Sequence, residues 1–223
     1  MAGMKMMRRV LFFGLTAGLP AALLLLVLGC GGEENNQAPV LDDFGGNDPN
    51  VVVAFGDSIT AGVDGGGAPY PVRLAALSGR RVVNSGVGGQ ESGPGLSRLG
   101  GVLAACQPGY ICILFGANDV IRGLDQNNTI ANLQAMVQKA RANKNVPILA
   151  TLTPMIREHG IWNSAVNRLN DAIRSLASAE GVTLVDLNVE FGDAEVLLLD
   201  DGLHPNDQGN QIIALAFNDV LPH

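Results

Sequence analysis

The sequence predicts an α/β domain, a three-layer α/β/α sandwich built on a five-stranded parallel sheet in the order 2-1-3-4-5. Two observations carry that expectation. Five short apolar, β-rich runs recur along the 223 residues, and stretches of helical period lie between them. The runs are apolar at nearly every position, the pattern of strands covered on both faces rather than one. Right-handed crossovers between parallel strands then distribute the helices over the two faces.

The strands are expected at Val51–Phe55, Arg81–Val83, Tyr110–Phe115, Val146–Thr151 and Thr183–Leu187. Tyr70–Ser78 is short and amphipathic, and Leu96–Ala105 aligns Leu96, Leu99, Val102 and Leu103 on one face. Thr129–Asn143 repeats Ile130, Leu133, Met136, Val137 and Ala140 at helical spacing, with Thr129 available as an N-cap. Ile161–Glu180 does the same through Ala165, Leu169, Ala172, Ile173 and Leu176, and Gly181 is a natural stop. The last helix, Asn206–Leu221, follows Pro205 and carries Ile212, Ile213, Leu215, Ala216 and Val220. No repeat or internal linker interrupts residues 50–223, which read as one domain.

The first 49 residues follow different rules. Lys5, Arg8 and Arg9 precede an apolar run from Val10 to Leu28 that ends at Gly29-Cys30. These are the parts of an export signal over residues 1–29. Val27-Leu28-Gly29-Cys30 resembles a bacterial lipobox, which implies lipidation of Cys30. An uncleaved signal anchor is the alternative, since the run approaches the length of a membrane span. Residues 30–49 read as a polar tether reaching about 25 Å root-mean-square. The expected location is the bacterial cell envelope, lipid-anchored, in the outer membrane or facing the periplasm.

Removing the three leader cations leaves 11 basic against 21 acidic residues, a balance of −10. That excludes nucleic acid as a partner and electrostatic docking on anionic lipid. Cys106 and Cys112 remain after Cys30, and free thiols are expected, with Cys112 inside an apolar strand. Neither stands beside a histidine, so no metal site or cysteine nucleophile is expected.

Four stretches carry chemistry. Gly56-Asp57-Ser58 follows the first strand, and Asn84–Gly93, rich in glycine, follows the second. Gly116-Ala117-Asn118-Asp119 ends the third, and Asp201-Gly202-Leu203-His204-Pro205 precedes the last helix. Singly, each is explained by an ordinary turn or helix cap. Together they meet at the carboxyl rim of a parallel sheet, where such folds gather functional groups. A serine hydroxyl needs a base to accept its proton, and the base needs a group to fix its tautomer. Ser58, His204 and Asp201 supply the three residue types, which points to acyl-ester hydrolysis. His159, in a polar loop, and the terminal His223 are weaker candidates for the base. Glycine-lined N–H groups and the Asn118 amide suit a developing oxyanion. The dinucleotide-binding pattern fails on its third glycine, and a phosphate-loop lysine is absent.

The four blocks in this order resemble the SGNH subgroup of the GDSL esterases and lipases, over nearly all of Val51–Leu221. The resemblance is nearest to the bacterial arylesterase, lysophospholipase and thioesterase branch, through Asn118-Asp119-x-x-Arg122-Gly123 and Asp200-Asp201-Gly-x-His-Pro-Asn206. Ala117 departs from the glycine common there. The resemblance implies a flavodoxin-like hydrolase fold over residues 50–223, with Ser58 as nucleophile, His204 as base and Asp201 as its orienter. It implies an oxyanion hole from the Ser58 and Gly89 N–H groups and the Asn118 amide, with no metal and no cofactor. A Gly-x-Ser-x-Gly elbow is missing, which separates the chain from the larger α/β-hydrolase family.

The expected partners are a small-molecule acyl ester and, through Cys30, a membrane. Lysophospholipids and thioesters are further substrate candidates. Two alternatives stay open: a carbohydrate O-deacetylase of the same family, disfavoured by only 4% aromatic residues, and a catalytically silent envelope binding lipoprotein.

Overall fold

The computed structural model describes residues 43–63, 66–192 and 194–222. The leader, Cys30 and the tether up to residue 42 lie outside these residues, as do Asp64, Gly65, Asp193 and His223.

Five parallel strands form one sheet in the order 2-1-3-4-5, as expected. They are β1 (Asp48–Gly56), β2 (Arg81–Gly86), β3 (Pro108–Leu114), β4 (Val146–Ala150) and β5 (Thr183–Val185). Central β1 is buried from Val51 onward and β3 along its whole length, because each has helices on both faces. β1 pairs with β2 through Val52↔Val82 and Phe55↔Ser85, and with β3 through Val53↔Ile111 and Gly56↔Leu114.

The helices are α1 (Ser58–Ala61), α2 (Tyr70–Ser78), α3 (Ser92–Cys106), α4 (Ala117–Ile121), α5 (Gln126–Ala142), α6 (Asn163–Glu180), α7 (Leu187–Glu190) and α8 (Asp207–Val220). The crossover from β1 to β2 runs one way along the sheet, and those reaching β3, β4 and β5 run the other. With a fixed right hand, α2 must lie on one face and α3, α5 and α6 on the opposite one. The packing follows that rule: α2 lies against α8, while α3 touches α5 and α5 touches α6.

The core beneath the layers is aromatic at two points. Phe55 and Phe115 meet edge to face at 5.1 Å, and Tyr70 stacks on Phe217 at 5.5 Å. Burying each such ring stabilises the fold by roughly 1.5–3 kcal/mol. The buried Asn170 side chain accepts from the Leu152 N–H at 2.8 Å and donates to the Leu152 carbonyl at 3.0 Å, satisfying the chain where it leaves β4.

Several expected boundaries move. The fold begins before residue 50: Phe44 packs edge to face on Tyr110, and Asn47 donates to the Asn143 carbonyl, so part of the expected tether belongs to the domain. Helix α5 starts three residues early because Asp125, not Thr129, caps it by accepting from the Asn127 N–H. β5 ends at Val185 because Asp186 caps α7 instead of extending the strand. Helix α3 begins at Ser92 rather than Leu96. Cys106 and Cys112 are free thiols, as expected.

A Cβ at Gly86 would fall on the Ala61 backbone nitrogen, and one at Gly56 would lie 2.6 Å from the Leu114 carbonyl oxygen. Gly101, exposed in α3, has nothing within 4 Å of that position. Gly86→Ala should therefore destabilise by about 3 kcal/mol or more, whereas Gly101→Ala should stabilise by up to about 1 kcal/mol. Urea denaturation midpoints of the two variants would move in opposite directions from the parent.

Candidate active site

Chain direction at the end of β1 is set by Asp57. Its Oδ1 accepts from the Ile59 N–H at 3.0 Å, which caps the single turn α1 and makes Ser58 its first residue. Gly62 closes the turn by donating to the Ser58 carbonyl at 2.9 Å. Ser58 is thereby presented at the carboxyl rim of the sheet, beside the ends of β2 and β3.

From the far end of the chain, a tight turn brings His204 to the same place. Asp201 Oδ1 accepts from the Leu203 N–H at 2.9 Å and the His204 N–H at 3.0 Å, while its Oδ2 lies 2.6 Å from His204 Nδ1. A carboxylate accepts, so Nδ1 carries the proton and Nε2 presents a lone pair. Nε2 lies 2.9 Å from Ser58 Oγ. Partial burial works to raise the Asp201 carboxyl, but the His204 imidazole and the two backbone N–H donors outweigh it and hold it below its usual range.

Two residues that the sequence reading left aside hold this turn. Ile156 donates from its backbone to the Gly202 carbonyl at 3.0 Å. Next to it Arg157, in the left-handed region at φ 52°, donates to the Leu199 carbonyl and to Asp200. His159 lies in a 3₁₀ turn over Arg157–Trp162 rather than an open loop, and its Nδ1 donates to the Asp201 carbonyl at 2.7 Å. His159 thus touches the backbone of the Asp201 turn and not Ser58.

The opposite side of Ser58 is built by the ends of β2 and β3. Gly89 has φ 70°, and its carbonyl accepts from Arg122, which also pairs with Glu91. Arg98 of α3 ties the two strand ends together. It donates to Gln90 Oε1 at 2.6 Å, Ser85 Oγ at 2.9 Å, and the Ser85 and Gly56 carbonyls at 2.8 and 3.2 Å. Its guanidinium lies 4.2 Å from the Phe55 ring centroid, so the cation is held by a π-face as well as by oxygens. Asn118 sits in α4, and its Nδ2 donates to the Gln90 carbonyl at 3.1 Å and to Asp57 Oδ2 at 3.3 Å. Asp119 beside it is buried and accepts from the Ser92 N–H and hydroxyl and from Thr129 Oγ1, joining α4 to α3 and α5.

The expected serine, imidazole and carboxylate therefore meet, with Asn118 reaching Asp57, the residue before the serine. Sequence reasoning missed Arg98, whose four acceptors belong to residues far apart in the chain, and missed the buried face of Asp57. Among the described residues, no group of three or more His, Cys, Asp or Glu side chains could hold a metal ion.

A hydroxyl hydrogen-bonded to an imidazole that a carboxylate orients is the arrangement of a serine hydrolase. Residues 54–212 match the GDSL-like lipase/acylhydrolase family. The chain belongs to that family and is a carboxylic ester hydrolase acting on small-molecule esters. It is 33% identical over 162 residues to esterase TesA of Pseudomonas aeruginosa, covering 70% of this chain and 79% of that protein. It is 29% identical over 173 residues to thioesterase 1/protease 1/lysophospholipase L1 of Escherichia coli, covering 74% and 80%. A solved G-D-S-L family structure from Desulfitobacterium hafniense superposes with a TM-score of 0.69 at 27% identity, over 77% of this chain and 99% of that one.

Asp57 is only 1% exposed, and burial pushes its carboxyl up to about 7, against the Ile59 N–H, with the neighbouring Asp119 charge adding to the rise. A folded value above the unfolded 3.8 means that the native state keeps a proton the unfolded chain releases. Its contribution to stability is complete below about pH 4 and is lost as pH rises through about 7. The melting temperature of Asp57→Asn minus that of the parent should therefore grow between pH 4 and pH 8. Calorimetry across that range checks the trend, and a difference independent of pH would contradict it.

Proposed function

We propose that Ser58 is the nucleophile of this ester hydrolase, His204 its general base and acid, and Asp201 the group that orients His204. The observation that carries the reading is the unbroken series Asp201 Oδ2–His204 Nδ1 at 2.6 Å and His204 Nε2–Ser58 Oγ at 2.9 Å. Ser58 Oγ attacks the acyl carbonyl carbon while its proton passes to His204 Nε2. The C–O π electrons move to the carbonyl oxygen, which the Ser58 and Gly89 N–H groups and the Asn118 amide stabilise. Collapse expels the alcohol, which leaves with the proton from His204, and the acyl group remains on Ser58. Water then attacks the acyl-enzyme with His204 as base, releasing the acid and restoring Ser58. Asp201 stays ionised throughout, and its low proton affinity favours the imidazolium that forms twice per cycle.

Simple acyl and aryl esters are the substrates this site is best suited to in solution. Lysophospholipids and thioesters follow from the names of the relatives and need no different chemistry: the first are oxygen esters, and in the second only the leaving atom changes, to sulfur. The domain stands at the carboxyl side of an export signal over residues 1–29, and we assign Cys30 as the lipidated residue that tethers it to the cell envelope.

Ser58→Ala should abolish hydrolysis of p-nitrophenyl acetate and butyrate, by at least about 10³-fold in kcat, with an unchanged far-ultraviolet spectrum. Undiminished turnover in a folded variant would rule out the nucleophile. For the anchor, Cys30→Ser should abolish incorporation of radiolabelled palmitate. Retained labelling would refute the assignment.

A further inference from the structure

The Asp57 carboxylate touches two groups on opposite sides of the reacting centre. Its Oδ1 accepts from the Ile59 N–H at 3.0 Å and so fixes the turn that begins with Ser58. Its Oδ2 accepts from Asn118 Nδ2 at 3.3 Å. Both neighbours are donors, and a side chain that accepts from both must offer two acceptor atoms. Only a carboxylate of this length does so. An asparagine would have to turn its NH₂ towards either the Ile59 N–H or the Asn118 amide, losing one of the two bonds.

We infer that Asp57 is a positioning residue: its ionised carboxylate holds the Asn118 amide in register with Ser58, and the oxyanion hole is competent only while both carboxylate oxygens accept. The inference rests on the proposed roles of Ser58, His204 and Asn118. The second Asn118 hydrogen is directed to the Gln90 carbonyl at 3.1 Å, so the amide plane is fixed at two points. An oxyanion, a stronger acceptor than a neutral carbonyl, takes the hydrogen now given to Gln90, while the hydrogen given to Asp57 Oδ2 keeps the amide in register.

The surroundings of Asp57 place its ionisation within reach of working pH. No cation is paired with it among the described residues. Asp119 faces it from α4 and Tyr70 from α2, the phenol bonded to Thr60 Oγ1, while Arg98 of α3 binds the adjacent Gly56 carbonyl. Burial and the Asp119 charge favour the protonated carboxyl, and the N–H groups of Ile59, Asp57 itself and Asn118 favour the carboxylate. A proton added to either oxygen on acidification removes its negative charge and weakens the bond it accepts from Ile59 or Asn118. Activity is then lost on acidification through two groups, His204 and Asp57, each of which must be unprotonated.

The test is the pH dependence of p-nitrophenyl acetate hydrolysis from pH 4 to pH 9 in the parent, Asp57→Asn, Asn118→Ala and the double variant. In the parent, log(kcat/KM) should fall with a limiting slope of two on the acid side, and in Asp57→Asn with a slope of one. Asp57→Asn should lower kcat by about 10–100-fold with KM within about twofold, somewhat less than deleting an oxyanion donor outright. Added to Asn118→Ala, the same change should cost less than about twofold further, because its effect passes through the missing amide. The inference is overturned by a kcat within twofold of the parent in Asp57→Asn, by an undiminished loss in the Asn118→Ala background, or by a one-proton limb in the parent. If Asp57→Asn does not fold, the parent limb decides. An inactive Ser58→Ala alongside a fully active Asp57→Asn overturns this inference alone, whereas turnover surviving in Ser58→Ala takes the triad reading with it.

Discussion

Three strand ends converge because two backbones pass with no room for a side chain between them. Gly56 ends β1 against the Leu114 carbonyl of β3, and Gly86 ends β2 against the Ala61 amide of α1. An alanine at either place would have to push a strand end or the α1 turn aside. This contact brings the turn bearing Ser58 within side-chain reach of both neighbouring strand ends. Arg98 then closes the arrangement from below, with one guanidinium bonded to the carbonyls of Gly56 and Ser85 and stacked on Phe55. The polar groups at the rim are therefore positioned by an apolar sheet that ends abruptly, not by the loops alone.

Much of this was legible in the sequence because its determinants are local. Near-continuous apolar runs over Val51–Phe55 and Tyr110–Phe115 identify buried parallel strands, and crossover handedness does the rest. Asp201 and His204, three residues apart, can meet only through a tight turn, so their contact was readable from spacing. What failed to read was set by distant partners. Thr129 has the chemistry of a cap, yet Asp125 takes that role and the Thr129 hydroxyl goes to Asp119. Thr183–Leu187 is apolar enough for five strand residues, but the Asp186 carboxylate is bonded to Arg174 and Thr151 and turns the chain into α7. Arg157 and His159 read as loop residues, and only the folded chain brings them against the Asp201 turn.

At that turn Asp200 and Asp201 are exposed, while Gly202, Leu203 and Pro205 are buried and Leu203 joins the core. Hydrogen bonds to the segment after β4 add to that packing. Ile156, Arg157 and His159 between them engage the carbonyls of Gly202, Leu199 and Asp201. Arg157 follows with a positive φ and reaches the turn through its guanidinium. A side chain at Gly202 would strike the Ile156 carbonyl, so the two segments are as closely fitted as the strand ends on the other side of the site. The imidazole is thereby held between two close backbone contacts, one on each side of the hydroxyl it serves.

Four aspartates show how finely the site grades its negative charge. Asp186 is compensated by a cation, Arg174, and its carboxyl is held low. Asp201 has an imidazole and two N–H donors and is also held low, as an orienting carboxylate must be. Asp119 is buried with three neutral donors and serves to join helices. Asp57 is buried beside Asp119 with no cation paired to it among the described residues, and burial pushes its carboxyl up towards neutrality against the N–H groups it accepts from. A fold selected for stability alone would replace it with a neutral residue, but a neutral residue offers one acceptor where the turn of Ser58 and the amide of Asn118 require two. A carboxylate disfavoured by burial thus stands at a position that touches both the nucleophile's turn and the Asn118 amide, the trade expected where geometry at a reacting centre outranks the stability of the chain.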